Sequence, residues 1–185
     1  MALLNDSKYG HKIKGHVIDL NLLRSVPYPG ARVGVAPADP AEPNPIYTDQ
    51  CDHRFTYALY PHASDPIEGG VPQAAYALNI PLRLARLTPS TAAALPARAA
   101  LLQVDVPNVC VEVVKQAEDS PAIIVRLYEL ARRSTAAVLR FGFPVSAAAE
   151  VDLMEENPVP LDLQDGGLSL SFKPFEIKTI QLTRG

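Results

Sequence analysis

At 185 residues the chain is long enough for one large domain or two small ones with a real core. Apolar residues make up 48% of it, and no run approaches the roughly eighteen residues needed to span a bilayer. A net charge of −3 with scattered Lys and Arg leaves no electrostatic footprint for nucleic acid or an anionic membrane. The start, Met1 to Asp6, lacks the basic and apolar segments of a secretion signal, so a soluble, cytoplasmic protein is expected. Cys51 and Cys110 stand apart without CxxC spacing and suggest neither a disulfide framework nor a zinc knuckle. Eighteen prolines, spread along the chain, argue against long helices.

In chain order, a first strand is expected at Leu3-Leu4. From His16 to Leu23 the residues alternate, with Ile18, Leu20 and Leu22 on one face and Asp19 and Asn21 on the other, which predicts a half-buried strand. Six prolines between Pro27 and Thr48 exclude a central strand or a helix there and predict a long surface loop. His53 to Tyr60 returns to strand character, with Phe55, Tyr57 and Leu59 expected to face a core. Ser64 to Gly70 reads as a turn, and Pro72 to Leu78 as the one short helix, begun by proline and stopped near Asn79 and Pro81.

Thr91 to Leu101 has helical propensity broken by Pro96. Beyond it the strand pattern is clear: Leu102–Val106, Val109–Lys115, Ile123–Leu130, Ala137–Phe141, Ala147–Leu153, Leu168–Phe172 and Glu176–Leu182. Turn signals at Pro107-Asn108, Glu118 to Pro121, Asn157-Pro158 and Asp165 to Gly167 separate several of them. Seven short strands without intervening helices predict an antiparallel sandwich.

Several constellations invite chemistry. Asp49, Cys51, Asp52, His53 and His62 offer zinc-type ligands within fourteen residues, but their spacing matches no ligand motif. A strand also turns His53 away from Asp52, so these residues are read as orienting a loop against a neighbouring domain. Carboxylate pairs that a glycosidase could use are Asp6 with Asp19, Asp119 with Glu129, and Glu155 with Glu156. Asp119, Glu155 and Glu156 fall in predicted turns, where acids are ordinary. Tyr57, Tyr60 and His62 could stack on and read a sugar, although alternating aromatics are more often core. Arg132, Arg133, Lys173 and Lys178 read as solvated. No Walker pattern, GxSxG elbow or internal repeat occurs.

Six separated motifs carry a resemblance. Leu4-Asn5-Asp6-Ser7-Lys8-Tyr9-Gly10, Leu22-Leu23-Arg24-Ser25-Val26-Pro27 and His53-Arg54-Phe55-Thr56-Tyr57-Ala58-Leu59-Tyr60-Pro61-His62 follow one another early in the chain. Asn108-Val109 with Lys115 to Asp119, Arg126-Leu127-Tyr128-Glu129, and Pro174-Phe175-Glu176-Ile177-Lys178-Thr179 follow later. In this order they resemble the C-terminal β-domains of glycoside hydrolase family 38, the α-mannosidases, particularly the microbial and cytosolic branch. The second motif departs from the family by a valine inserted before its proline.

The resemblance implies strands and hairpins, not helices, after Asn79 to Leu82. It implies an all-β chain with at most one short helix: residues 1–101 the end of a large β-sandwich, and 102–185 a smaller C-terminal sandwich. It further implies that the parent enzyme hydrolyses terminal α-linked mannose with retention, on a catalytic barrel domain outside this chain. That barrel carries the nucleophile and a divalent metal such as zinc. None of its motifs occurs here, so no catalytic role, cofactor or metal ligand is carried over to this chain, which is expected to be inactive alone. Asn5, Asp6, Lys8, Tyr9, Arg24, His53 and His62 become candidates for shaping the substrate pocket or for an interdomain hydrogen-bond network. The barrel domain is the expected partner, with carbohydrate a further ligand. Unpaired strand edges predict that the isolated chain forms a homodimer. A free-standing carbohydrate-binding module and a structural or oligomerisation domain remain as alternatives.

Overall fold

The computed structural model describes residues 1–26, 47–86, 96 and 98–185. Residues 27–46 of the loop predicted from Pro27 to Thr48 lie outside them, as do residues 87–95 and 97, which include part of the alanine-rich stretch. The chain divides into two compact units. One comprises Met1–Pro66 with Val71–Arg83, the other Leu84–Gly185 with Ile67–Gly70. The strands pair antiparallel throughout, and the described residues include one short helix.

In the first unit β1 (Ala2–Asn5) pairs with β4 (Tyr57–Tyr60), placing Leu4 opposite Ala58. Leu4 is the buried hydrophobic residue of this unit among those described. A second pair, β2 (His11–Lys14) and β3 (Val17–Leu20), closes over a tight turn in which Gly15 takes a φ of 60°. That left-handed conformation is one glycine adopts without a Cβ penalty, as short hairpin turns require. Helix α1 (Val71–Asn79) starts with Pro72 in its first turn, where the missing N–H costs no helical bond. The Asn79 side chain ties its end to β1 by donating to the Asn5 carbonyl at 3.1 Å.

Two expectations for this unit are corrected. The Ile18 and Leu22 face is open to solvent, at 39% and 38% exposure, and Leu20 is half-buried. A two-stranded hairpin has no second layer to cover it. The aromatic strand is also shorter than expected, and Tyr57 and Leu59 point outward at 59% and 64% exposure. The inward residues of β1 and β4 are Leu4, Ala58 and Tyr60 instead. Residues 81–86 form no strand.

The second unit is a sandwich. Its strands are β5 (Leu102–Val104), β6 (Val109–Gln116), β7 (Ile123–Glu129), β8 (Thr135–Phe141), β9 (Val145–Val151), β10 (Val159–Leu161), β11 (Gly167–Phe172) and β12 (Ile177–Arg184). They form a five-stranded sheet, β10-β9-β12-β7-β6, and a three-stranded sheet, β11-β8-β5. All seven predicted strands are present, with ends shifted by a few residues. β10 was not foreseen: Pro160 and two apolar neighbours give too short a pattern to read.

Strand alternation sends Val125, Leu127, Ile180 and Leu182 from the larger sheet against Leu139, Leu168, Leu170 and Phe172 from the smaller one, all within one buried cluster. The opposite face of the larger sheet holds a smaller buried group of Ala117, Ala122, Ile124 and Val151. Beside it Lys115 bridges Glu118 and Glu155, while Arg126 donates to the Leu153 carbonyl at 3.2 Å. Lys178, read as solvated, is largely buried. It pairs with Glu150 at 2.8 Å and lies 5.9 Å from the centre of the Phe172 ring.

Gly142 follows β8, and its N–H donates to the Leu101 carbonyl at 2.9 Å. A Cβ at this position would run into the backbone oxygen of Ala100. Gly142→Ala is therefore expected to destabilise the chain by about 1–3 kcal/mol, as overpacking against an unyielding backbone does. A urea unfolding curve should show a lower midpoint with an unchanged slope.

Candidate functional site

A cleft of about 470 Å³ opens in the first unit. Leu3, Ile13, Ile18 and Leu20 supply its apolar wall. Asn5, Lys8, Tyr9, His11 and His62 bring polar groups to it. Four of the seven candidates named from sequence, Asn5, Lys8, Tyr9 and His62, thus share one cavity although the first three lie more than fifty residues before His62.

Local chemistry explains their positions. The Asn5 side-chain oxygen accepts the Lys8 N–H at 2.7 Å, folding the residues after β1 into a turn of the kind asparagine favours. Lys8 then lays its ammonium group 5.1 Å from the centre of the Phe55 ring. Tyr9 is 89% exposed. His11 Nδ1–H donates to the Tyr9 carbonyl at 2.9 Å, and His62 Nδ1–H to the Ser64 carbonyl at 2.8 Å. A carbonyl can only accept, so each ring carries its proton on Nδ1 when neutral and keeps Nε2 as an acceptor. His11 was missed in the sequence. Its signal, a position directly after the Lys8-Tyr9-Gly10 motif, becomes visible only once β2 is known to line the cleft.

The other three candidates lie off the cleft. Asp6 accepts the Thr56 N–H at 2.9 Å and donates its own N–H to the Thr56 carbonyl at 3.2 Å, fastening β1 to the segment before β4. The Thr56 donor holds the Asp6 carboxyl below its ordinary range. His53 Nε2 meets the Asp49 carbonyl at 2.9 Å and the Cys51 sulfur at 3.8 Å, within a loop where Asp49 takes a φ of 58°. Arg24 is exposed.

The remaining constellations resolve differently. Among the described residues no group of three or more His, Cys, Asp and Glu side chains could hold a metal ion. Glu155 is engaged by Lys115, with its carboxyl held down by that ammonium and by the Glu118 N–H. Asp152 organises the turn after β9 by accepting from Met154, Glu156 and the Asn157 side chain. Glu129 is 1% exposed and accepts hydrogen bonds from Asn108, Ala131, Arg133 and Phe175. The cleft therefore offers donors, acceptors and an apolar wall, the groups that hold a neutral polyhydroxylated ligand. None of its side chains forms a nucleophile–base pair.

The second unit is an antiparallel β-sandwich, and the first holds an open cleft with polar and apolar walls. Residues 108–180 match the family description "Glycosyl hydrolases family 38 C-terminal beta sandwich domain". The chain is 39% identical over 188 residues to alpha-mannosidase 2C1 of Homo sapiens and 35% identical over 187 residues to that of Mus musculus. It is 29% identical over 191 residues to alpha-mannosidase G of Dictyostelium discoideum. Each alignment covers 98% of this chain and 16% of the relative. Residues 108–180 thus carry the C-terminal β-sandwich domain of glycosyl hydrolase family 38, and the chain as a whole is similar to about one sixth of these α-mannosidases. Among the described residues no helix is long and apolar enough to cross a membrane.

Proposed function

We propose that this chain is the non-catalytic C-terminal β-region of an α-mannosidase, and that it packs on the catalytic domain and helps shape the substrate pocket. The observation that carries this reading is the match to α-mannosidases over 98% of the chain, which spans 16% of their length. In the complete enzyme the catalytic domain hydrolyses terminal α-linked mannose with retention. A divalent metal such as zinc would belong to that domain; among the described residues of this chain no group of three or more His, Cys, Asp and Glu side chains could hold one. The first-unit cleft faces substrate, with Asn5, Lys8, Tyr9 and His62 reading hydroxyls. Asp6, Arg24 and His53 serve the interdomain network. Residues 1–101 and 102–185 correspond to the end of the large sandwich and the small terminal sandwich. The expected location is the cytoplasm.

The test is an assay with p-nitrophenyl α-D-mannoside. The complete polypeptide is expected to release nitrophenol and the 185-residue chain to release none. Lys8→Ala in the complete enzyme should lower kcat/KM roughly ten-fold, the scale of one lost charge-assisted hydrogen bond, with no change in unfolding midpoint. An unchanged kcat/KM would remove the cleft from the pocket and leave a structural role. In isolation the 185-residue chain is expected to self-associate, supported by the exposed Ile13, Val17, Tyr57 and Leu59. A monodisperse monomer in light scattering at high concentration would count against that.

A further inference from the structure

Three connections that cross between the two sheets meet at one end of the second unit: β5 to β6, β7 to β8, and β11 to β12. Glu129, the last residue of β7, ties them together. Its Oε1 accepts from the Asn108 side chain at 2.9 Å and the Ala131 N–H at 2.8 Å. Its Oε2 accepts the Arg133 N–H at 3.3 Å and the Phe175 N–H at 3.1 Å. Two loops remote in sequence are thus drawn to a single oxygen atom.

The turn from β11 to β12 is Lys173-Pro174-Phe175-Glu176, closed by the Glu176 N–H on the Lys173 carbonyl at 3.1 Å. Proline stands second, as such turns favour, but Phe175 stands third with a φ of 59°. That position ordinarily takes glycine or asparagine, because a bulky side chain is strained there. Burial does not explain the phenylalanine, which is 61% exposed. Arg132, in the adjoining loop, is also left-handed at a φ of 57°. Arg132, Arg133 and Lys173 are exposed, and none of them takes part in an ion pair among the described residues. The nearby Glu176 carboxylate is already engaged: Oε2 accepts the Lys173 N–H at 2.7 Å, and Oε1 lies 3.9 Å from Lys178 Nζ.

We propose that Phe175, flanked by Arg132, Arg133 and Lys173, is a docking knob for an acidic segment of the same polypeptide lying outside these 185 residues. This rests on reading the chain as part of a longer α-mannosidase. Strain retained beneath an exposed aromatic side chain marks that side chain as the reason for the geometry. The unpaired cations select carboxylates, and a segment on the same polypeptide is present at high effective concentration. Glu129 acts as the positioning residue, aiming the turn without touching the partner.

The experiment places p-benzoylphenylalanine at Phe175 in the complete polypeptide, irradiates it and maps the crosslinks. A crosslink to a segment rich in Asp or Glu beyond this chain is expected, and Arg132→Glu combined with Lys173→Glu should abolish it. Crosslinks to a second copy, to residues within this chain, or to nothing would overturn the proposal. A second variant keeps strain and docking apart. Phe175→Asn in the 185-residue chain should raise the unfolding midpoint by relieving the turn, whereas a lower midpoint would make Phe175 a local structural residue and also overturn the proposal. α-Mannosidase activity of the complete polypeptide is measured alongside. An active enzyme without the crosslink sinks this inference alone, while an inactive one sinks the mannosidase reading.

Discussion

Glu129→Gln is expected to lower the stability of the chain by about 2–4 kcal/mol, because a carboxylate that accepts four N–H donors is replaced by a group that can accept with only one of its two terminal atoms. The glutamine NH₂ would confront donors of Asn108 and Ala131 or of Arg133 and Phe175. Only the Asn108 amide could turn its oxygen toward the new NH₂; the other three donors are backbone N–H groups, so in either orientation the NH₂ meets at least one donor that cannot turn. The same site predicts the acid response. Burial pushes the Glu129 carboxyl up, but the donors of Asn108, Phe175, Ala131 and Arg133 together hold it below its ordinary value of 4.5. A depressed folded-state value means that the stabilisation is fully present above the ordinary value and is lost as pH falls through the folded one. Urea midpoints should therefore decline below about pH 4.5 in the parent chain, and that part of the decline should vanish in Glu129→Gln. An identical acid profile in both proteins would show that other carboxylates govern it.

Leu139→Ala should cost about 2–5 kcal/mol, a large share of the 5–15 kcal/mol that holds a typical domain together. Leu139 is fully buried in β8, the middle strand of the three-stranded sheet, opposite Leu168 on one side and Val104 on the other. Paired strands hold the backbone on both sides, so the walls of the resulting cavity cannot collapse inward, which favours the upper half of that range. Leu139→Met, close in volume, should cost less than about 1.5 kcal/mol. Equal losses from the two variants, read from chemical denaturation, would mean that the site tolerates voids and that packing there is loose.

The second unit was readable because six of its eight strands alternate over six to eight residues and its turns are marked by Pro, Asn, Asp and Gly. The core positions Leu127, Leu139, Leu170 and Ile180 follow from that alternation once the sheet is assumed. In the first unit the same kind of pattern misled. Ile18 and Leu22 alternate correctly but meet no second layer, and the strand ending at Tyr60 turns Tyr57 and Leu59 outward, because alternation specifies two faces without specifying which is covered. The candidate site was half legible. Ordered motifs marked Asn5, Lys8, Tyr9 and His62, whereas Arg24 and Asp6 belonged to the same motifs and lie off the cleft. His11 carried no motif and needed the β2–β3 pairing to appear.

What the sequence determined by itself is the strand-rich class, the one short helix among the described residues, the sequence of strands in the second unit and the family resemblance, since each depends on periodicity, turn chemistry or ordered motifs that are local. Only the tertiary structure decided that Glu129 is a buried tie between three crossovers rather than half of a carboxylate pair, that Lys178 is buried against Glu150 and Phe172, and that Phe175 occupies a left-handed position in the open. These facts depend on which residues far apart in the chain come within hydrogen-bonding distance, and the burial and charge balance of a side chain are properties of that assembled neighbourhood.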